Sequence, residues 1–306
     1  MPFKLKAYLP SQQRNVLIKE LCYRQYRDLV KSLHSTDKEE TIQQYNSVLE
    51  DLCPDIAGID ITWEDKLSLL LTVRNYCVSP DLKLKVTNTD NSIFNFSTSL
   101  DKVINTVKAI NKSRILTLKD ITIEYSSYKV RDEYDFNGNN KDIPIILASY
   151  IDNIVIKGTS INFKDYNLQE RIKIVKELPY WIITKLYKDI INLENYYEGL
   201  DLITIRKPFE KEVYFRVSQN ITYDTLQLLI SYLFTENLTN IYKAFYNIVK
   251  YAGFDAEYID TITPVEMQVY WMYFLESQKK TETAPTPTGG LNLPAPSGTP
   301  NTELGF

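Results

Sequence analysis

The chain has 306 residues, of which 44% are hydrophobic, and its formal net charge is −4. It is long enough for one large core or two ordinary ones, and it lacks the excess of positive charge that nucleic-acid binding requires. One histidine, three cysteines and nine glycines leave little for catalysis, for a metal site or for a glycine-rich phosphate-binding loop. We therefore predict no cofactor, no metal ligands and no nucleic-acid partner, and we expect the protein to act by contacting other proteins.

The cysteines and the chain start indicate a reducing compartment. The first residues, MPFKLKAYLPSQQRN, contain no apolar run of the kind found in signal peptides. No stretch of the chain is long enough to span a membrane. Cys22, Cys53 and Cys77 are odd in number and far apart, as is usual for reduced thiols. We expect cytoplasmic folding and no membrane span.

The N-terminal part is predicted to run from a strand into three helices. The apolar residues 16–21 are typical of a short strand, and a helix follows it as far as Leu33. Capping boxes, in which a threonine precedes an acidic residue by three positions, start the second and third helices. Each of these two helices ends at a proline. The cap residues are Thr36 with Glu39 and Thr62 with Asp65, and the closing prolines are Pro54 and Pro80.

Strands are predicted next along the chain. Alternating apolar and polar residues indicate short strands at 82–86, 93–96 and 121–125. Residues 100–110 have apolar side chains at helical spacing but are rich in β-branched residues, so this segment fits either a helix or a strand. The polar stretch 131–142 is predicted to be a loop or a hairpin turn.

Helices dominate the second half of the prediction. A β-hairpin is expected around Lys207-Pro208, with strands at 202–205 and 213–217. Thr263 is the predicted N-cap of the last helix, in which Pro264 is the first residue. The predicted helices of this half are 143–153, 169–178, 181–197, 224–234, 239–251 and 264–280.

These elements predict a helix-rich α+β protein in three parts. Residues 1–130 form an N-terminal module of strands and helices, and residues 131–280 form a helical module that contains the hairpin. Residues 281–306 hold five of the 13 prolines and few large apolar side chains, so they cannot bury enough surface to offset their conformational entropy. We expect this last segment to be disordered. It is either a passive tail or a tether whose terminal Phe306 docks on a partner.

Aromatic residues of the last two helices are the candidate binding residues. They recur at helical spacing, and they either pack between those helices or line an exposed groove for a partner helix. Tyrosine is useful in interfaces because its ring is rigid and its tip is polar, although an AT-rich genome also enriches it. The candidate partner-binding residues are Tyr242, Phe245, Tyr246, Tyr270, Tyr273 and Phe306.

The sequence disfavours catalysis. His34 has no accompanying nucleophile motif, and we interpret it as a surface residue near the end of a helix. A carboxylate hydrolase is conceivable on acidic residues such as Glu64, Asp65, Asp132, Glu133 and Asp135, but a chain with 39 acidic residues offers such pairs by chance. The acidic run 132–135 lacks the ligand spacing of a calcium loop. We predict no catalytic residues and no enzymatic activity.

The order of segments resembles a known family. A strand-like VLIKEL leads into CYRQYRDLVKSL, the polar break HSTDKEE precedes TIQQYNSVLEDLC, and WEDKLSLLLTVRNYCVSP precedes LKLKV. Later, QERIKIVKELP and WIITKLYKDIINLENYY follow LASYIDNI. With Arg24, Arg27 and Arg74 at comparable places, this order is similar to that of the baseplate-hub assembly proteins of T4-like tailed bacteriophages. The resemblance extends over residues 9–280 and leaves out the proline-rich segment.

The resemblance implies a structural or assembly role in the central hub of a contractile tail's baseplate. It implies other phage tail and baseplate proteins as partners in a multimeric assembly, with folding in the host cytoplasm and a final place in the virion tail baseplate. Some relatives carry paired cysteines in the strand region that corresponds to residues 83–97, whereas this chain has none there, so no metal follows.

Two alternatives stay open. One is a tail assembly chaperone that binds the apolar helices of the tape-measure protein and is absent from the mature virion. The other is a carboxylate-based hydrolase of the cell wall.

Overall fold

The structure is a computed structural model, and its architecture is mixed α+β as predicted. It describes residues 4–35, 37–87, 93–101, 104–105, 114–126, 129–130, 142–198, 201–205, 213–216, 233–234 and 237–283. The described strands are β1 (Lys4–Leu9), β2 (Arg14–Lys19), β3 (Asp81–Thr87), β4 (Ile93–Ser99), β5 (Arg114–Leu118), β6 (Ile121–Tyr125), β7 (Ile151–Ile156), β8 (Thr159–Asn162), β9 (Asp201–Ile205) and β10 (Val213–Arg216). The described helices are α1 (Tyr23–Ser32), α2 (Lys38–Leu52), α3 (Trp63–Cys77), α4 (Ile143–Tyr150), α5 (Leu168–Glu177), α6 (Tyr180–Glu198), α7 (Leu238–Tyr251), α8 (Ala256–Thr261) and α9 (Pro264–Thr283).

The predicted entry from a strand into a helix is confirmed. β2 is followed by α1 after the N-cap residue Cys22. β2 also pairs with β1 in an antiparallel hairpin, and Val16 and Ile18 point into the core while their neighbours in β2 are exposed. β1 is absent from the prediction, although Ala7 and Leu9 show the same alternation that predicts strands elsewhere.

Capping side chains start α2 and α3. The N–H of Thr62 donates to Oδ2 of Asp65 at 2.8 Å, so the predicted box does start α3. At α2, the Asp37 carboxylate accepts a hydrogen bond of 3.3 Å from the N–H of Glu40, one residue later than the predicted box. Thr36, the predicted cap, lies outside the described residues. The Asp37 carboxylate therefore acts as a capping side chain at the start of α2.

α3 is buried on nearly every side, and its sequence pattern does not predict this burial. Its charged residues Glu64, Asp65 and Lys66 are fully buried, whereas Tyr76, near the end of the helix, is exposed. Asp65 accepts hydrogen bonds from the N–H of Ser11 at 2.9 Å and from its hydroxyl at 2.5 Å. The β1–β2 turn is thereby fastened to the start of α3, and β1 packs along this helix.

The middle of the chain forms two antiparallel sheets. β3 and β4 pair as a hairpin, at the places where two of the three strands were expected. The third expected strand is β6, which lies inside a four-stranded sheet of order β5-β6-β7-β8. Within the ambiguous segment 100–110, the described residues 100–101 and 104–105 are helical.

The helix predicted at 143–153 is wrong in its last three residues. α4 ends at Tyr150, and β7 begins at Ile151. β7 lies between β6 and β8, so both of its edges are hydrogen-bonded, and its β-branched residues fit a pleated strand better than a helix. Tertiary pairing therefore decides the conformation of this apolar run.

The remaining predictions for the second half hold where they can be compared. α5 and α6 are separated at Pro179, and β9 pairs with β10 in the expected hairpin. Thr263 caps α9, because its hydroxyl accepts from the N–H of Glu266 at 3.3 Å while its own N–H donates to Oε2 of Glu266 at 2.8 Å. The predicted loop 131–142 and the helix 224–234 lie largely outside the described residues. The disorder predicted for 281–306 is wrong for its first three residues, because α9 continues to Thr283, and residues 284–306 lie outside the described residues.

One hydrophobic cluster connects elements of the N-terminal part, the central sheet and the C-terminal helices. It includes Leu29 of α1, Leu70 of α3, Ile123 of β6, Ile190 of α6 and Ile248 of α7, all of them buried. Burial of this cluster is the main term that favours the fold. In the part of the chain that the structure describes, no helix has the length and hydropathy needed to cross a membrane. The division at residues 130 and 280 remains a prediction.

Candidate partner-binding surface

The C-terminal helices α7, α8 and α9 pack on α1. Tyr23 makes several of the contacts. Its N–H donates to the carbonyl of Ile262 at 2.6 Å, and its hydroxyl donates to the carbonyl of Ile241 at 3.1 Å. Its ring stacks with that of Phe245, with 6.3 Å between the centroids and 10° between the planes. These contacts fix the position of α7 and α9 relative to the N-terminal part.

Arg27, one turn further along α1, makes further contacts between α1 and the C-terminal helices. Its Nη2 lies 2.8 Å from Oδ1 of Asp260, and the two side chains are only 14% and 29% exposed. Its guanidinium lies 4.4 Å from the ring centroid of Phe245, and 5.8 and 5.9 Å from those of Tyr23 and Tyr242. A cation shielded from water and flanked by aromatic rings interacts more strongly than one at the surface. Arg27 thus joins α1 to both α7 and α8.

Two of the candidate binding residues serve internal packing. Phe245 is partly buried between Tyr23 and Arg27. Tyr270 packs on Phe254 at 4.9 Å between ring centroids, and its hydroxyl lies 3.1 Å from that of Tyr258. For these two residues the structure supports the interpretation that the aromatic stripes pack between the last helices.

Three other candidates are exposed. Tyr242 and Tyr246 lie one turn apart on α7, with 45% and 51% of their surfaces accessible, and Tyr273 on α9 is 65% accessible. Phe306, the sixth candidate, lies outside the described residues. The stripes predicted from spacing therefore divide into an inner set and an outer set.

The outer side of α7 combines tyrosines with lysines. Lys250 donates a hydrogen bond of 2.5 Å to the Tyr246 hydroxyl, and it lies 5.0 and 5.2 Å from the ring centroids of Tyr246 and Tyr251. The hydrogen bond with Tyr246 raises the pKa of Lys250, so this side chain is charged at neutral pH. We call the exposed residues Tyr242, Lys243, Tyr246, Lys250 and Tyr251 the α7 face.

The outer side of α9 is apolar with acidic flanks. Val265, Val269 and Met272 are exposed at intervals of four and three residues, and Tyr273 extends the row. The inner side of the same helix is also apolar, because Met267 is buried and Tyr270 and Trp271 are partly buried. α9 therefore carries apolar side chains on two sides, with polar residues such as Glu266, Gln268 and Glu276 between them. We call the exposed residues Val265, Glu266, Val269, Met272, Tyr273 and Glu276 the α9 face.

Sequence reasoning missed several of these residues. The spacing of Val265, Val269 and Met272 is itself a helical signal, on the side opposite to the aromatic stripe, and it could have been found. The docking role of Arg27 could not, because its partner Asp260 is more than two hundred residues away in sequence.

The residues considered as catalytic or metal-binding candidates lie at the surface or have structural roles. His34 is exposed just beyond α1, and its N–H donates to the carbonyl of Lys31 at 3.0 Å. Asp65 caps α3 and holds the β1–β2 turn. Burial raises the pKa of the Cys77 thiol to about 11 and also raises that of Cys53. Within the described ranges, no group of His, Cys, Asp and Glu side chains could hold a metal ion.

Comparison with known proteins identifies the family. A family model described as T4 bacteriophage base plate protein matches residues 1–197. No curated protein and no solved structure gives a significant match. The matched range includes α1, on which the C-terminal helices dock, and the two exposed faces follow it in sequence. Since this match covers more than half of the chain, the protein belongs to the family of T4 bacteriophage base plate proteins.

Proposed function

We propose that this protein is a structural or assembly component of the baseplate hub in a contractile phage tail. In this proposal it acts through protein–protein contacts with other tail and baseplate proteins, and it has no catalytic activity. It folds in the host cytoplasm and takes its final place in the virion tail. Membership of the base plate family supports the setting, and the exposed surface of α7 and α9 supports the mode of action.

The observation that best supports this proposal is the residue composition of the exposed surface of α7 and α9. The α7 face and the α9 face expose tyrosines, a methionine and two valines on helices held firmly by α1. Monomeric soluble proteins rarely expose large contiguous apolar patches, and tyrosine and methionine are enriched in interfaces. A rigid aromatic surface loses little conformational entropy on binding, which favours a stable contact.

A tail assembly chaperone is the second candidate. The observation that favours it is the row Val265, Val269 and Met272, since a helix of the tape-measure protein could lie along such a row. For the cell-wall hydrolase, the structure places only two of the acidic candidates, because Asp132, Glu133 and Asp135 lie outside the described residues. Glu64 and Asp65 are fully buried on α3, and Asp65 already accepts hydrogen bonds from Ser11 and Thr62.

The last segment extends this proposal. Residues 284–306 follow α9 directly, and we propose that they tether a partner through Phe306. The modules 1–130 and 131–280 then position the two faces and the tether together.

Incorporation into particles tests the proposed function. Mass spectrometry would compare gradient-purified particles with the infected-cell lysate. A fixed ratio to other tail proteins supports a structural hub component, and abundance in the lysate with absence from particles supports an assembly factor or chaperone. If the protein co-purifies with no tail protein in either fraction, the proposal fails.

Variants of the surface locate the binding residues. Tyr246→Ala combined with Met272→Glu should reduce capture of tail proteins at least about tenfold, because truncating a hot-spot residue costs about 2 kcal/mol or more and tyrosine is enriched among hot spots. Tyr76→Ala is the matched control, since Tyr76 is equally exposed but lies on α3. Equal losses in both variants would contradict a specific surface on α7 and α9.

A further inference from the structure

Two exposed tyrosines near the end of α7 form an aromatic corner. The rings of Tyr246 and Tyr251 lie 6.2 Å apart between centroids, with 84° between their planes. The two side chains are 51% and 61% exposed, and Tyr242 is a further exposed tyrosine one turn earlier. Lys250 lies 5.0 and 5.2 Å from the two ring centroids. Because an ammonium group has three N–H donors, Lys250 can bind carbonyl oxygens of a docked segment as well as the Tyr246 hydroxyl.

The aromatic rings, and not the charges, select what covers this corner. Lys243 and Lys250 are exposed on α7, but Asp255 and Glu257 are exposed shortly after the helix ends, so the surroundings carry both signs. Exposed aromatic side chains are the usual contacts of proline-rich segments. A polyproline II helix has no internal hydrogen bonds, so its carbonyl oxygens are available to donors, and it loses little entropy on binding. The α7 face therefore has the chemistry that binds an extended proline-rich segment.

A segment of this composition follows α9 in the same chain. Residues 284–306 contain five of the 13 prolines, and the remaining prolines are scattered singly over the rest of the sequence. Within this segment, the stretch 291–296, LNLPAP, combines two prolines with two leucines. The chain thus supplies its own candidate for the aromatic corner.

The segment is long enough to reach the corner. Phe254, three residues after Tyr251, packs on Tyr270 at 4.9 Å between ring centroids, so the end of α7 lies beside the middle of α9. From Tyr270 to Thr283, α9 extends about 20 Å at 1.5 Å per residue. Pro296 is 13 residues beyond Thr283 in sequence, which allows a separation of up to about 40 Å at 3.1 Å per residue. The excess length lets the segment reverse its direction after α9 and return to α7.

We propose that residues 284–306 dock on the α7 face of their own molecule, with the stretch 291–296 lying over Tyr246 and Tyr251. A tether of this length holds the segment at an effective concentration of about 1 mM. The segment is then bound most of the time if its intrinsic dissociation constant is below about 0.1 mM. Weak contacts with two or three tyrosines are sufficient for this, because the tether removes most of the cost of association.

This inference rests on the proposed function, because the α7 face is part of the same binding surface. It assigns the two faces to different occupants: the α7 face holds the chain's own prolines, and the row Val265, Val269 and Met272 on the α9 face binds another tail protein. Phe306 follows the docked stretch by ten residues, so it is held near both faces. A partner that contacts the α9 face and Phe306 together binds more tightly than through either contact alone.

Hydroxyl-radical footprinting of the full-length chain tests the docking. In the wild type, Tyr246 and Tyr251 should be oxidised about three- to tenfold more slowly than in the variant Pro294→Ala/Pro296→Ala/Pro300→Ala. This range corresponds to a segment that is bound for about two-thirds to nine-tenths of the time and shields the rings while it is bound. The triple variant keeps the length of the segment and changes nothing in the helices. Mass spectrometry of the peptides that contain each tyrosine gives the oxidation rates.

An internal control and a concentration series complete the test. Tyr76, which is 59% exposed on α3, should be oxidised at the same rate in both proteins. Equal rates for Tyr246 in the wild type and the triple variant overturn the docking. Protection of Tyr246 that increases with protein concentration assigns the segment to a second copy and overturns docking within one molecule. Circular dichroism checks that each variant is folded.

Capture of tail proteins separates this inference from the proposed function. If Tyr246 is not protected while Met272→Glu still abolishes capture, the α9 face binds its partner without the docked segment, so the inference fails and the proposed function stands. If Tyr246 is protected while the wild-type chain captures no tail protein, the docking stands and the proposed function fails.

Discussion

Replacing Arg27 with methionine should loosen the C-terminal helices from α1 without unfolding the rest of the protein. Methionine keeps an apolar stem of similar length but removes the ion pair with Asp260 and the cation over Phe245. The hydrogen bonds of Tyr23 to the carbonyls of Ile241 and Ile262 remain. The substitution therefore acts on the docking contact itself.

The expected loss follows from the two interactions removed. A fully exposed ion pair contributes at most about 1 kcal/mol, and breaking a fully buried one costs about 3–5 kcal/mol. The Arg27–Asp260 pair is between these limits, because its side chains are 14% and 29% exposed, so we expect about 1–2 kcal/mol from it. The cation–π contact at 4.4 Å adds about 1 kcal/mol. A total of about 2–3 kcal/mol corresponds to a roughly 30- to 150-fold increase in local opening.

Hydrogen exchange measures this opening directly. Amides of 238–283 should exchange about 30 to 150 times faster in Arg27→Met, while those of α5 stay close to wild type. Asp260→Asn and the double variant complete a cycle whose coupling energy should be about 1–2 kcal/mol. Arg114→Met, at an exposed position on β5, is the control. A loss below about 0.5 kcal/mol, or equal acceleration in α5 and α7, would refute the docking role of Arg27.

Three further predictions concern other parts of the molecule. Asp65→Asn should lower the free energy of unfolding by about 2–3 kcal/mol in urea titrations, because an amide donor then faces the N–H of Thr62 inside the core. A loss no larger than that of Asp55→Asn, whose 3.5 Å bond is exposed, would contradict this. Burial raises the pKa of Cys77 to about 11 from 9.0, so the folded state holds its proton longer and stability should fall as pH rises from about 9 to 11. Cys77→Ala should flatten that slope, and an identical slope in both proteins would show that other groups cause it. Deleting 284–306 should leave the thermal midpoint nearly unchanged while weakening partner capture, and equal capture would exclude the tether.

The helix starts could be predicted because their causes are local. The box of Thr62 with Asp65 and the N-cap at Thr263 are both present as expected, and each involves residues three positions apart, with Glu266 as the partner of Thr263. The sequence pattern is sufficient there because the side chain and the backbone group that it satisfies belong to the same turn.

The predictions that the structure contradicts failed because of contacts between residues far apart in sequence. Ile151 begins a strand because β6 and β8 pair with β7 on both sides, and a window of eleven residues contains neither partner. The fully buried Glu64 and Lys66 of α3 contradict the usual rule that such residues face water. Their burial follows from the position of α3 in the fold, which composition and spacing do not give.

Only part of the candidate binding surface could be predicted, again because the deciding contacts are distant in sequence. Helical spacing marks aromatic residues on α7 and α9, but it does not say which side meets α1. Tyr246 and Phe245 are neighbours in sequence, yet the first is exposed and the second packs beside Tyr23 and Arg27. Because Tyr23 and Arg27 lie on α1, the division into inner and outer sides depends on a contact made across most of the chain.

This division has a consequence for how stability and binding should respond to substitution. Inner residues such as Phe245 hold α7 on α1, so truncating them should lower stability and disturb binding together. Outer residues such as Met272 are exposed, so polar substitutions there should change the thermal midpoint little while binding is lost. Binding benefits from the stability of the inner contacts, since a rigid helix pair presents its aromatic surface at a lower entropic cost than a flexible one. The exposed apolar side of α9 is then best understood as the unassembled half of an interface.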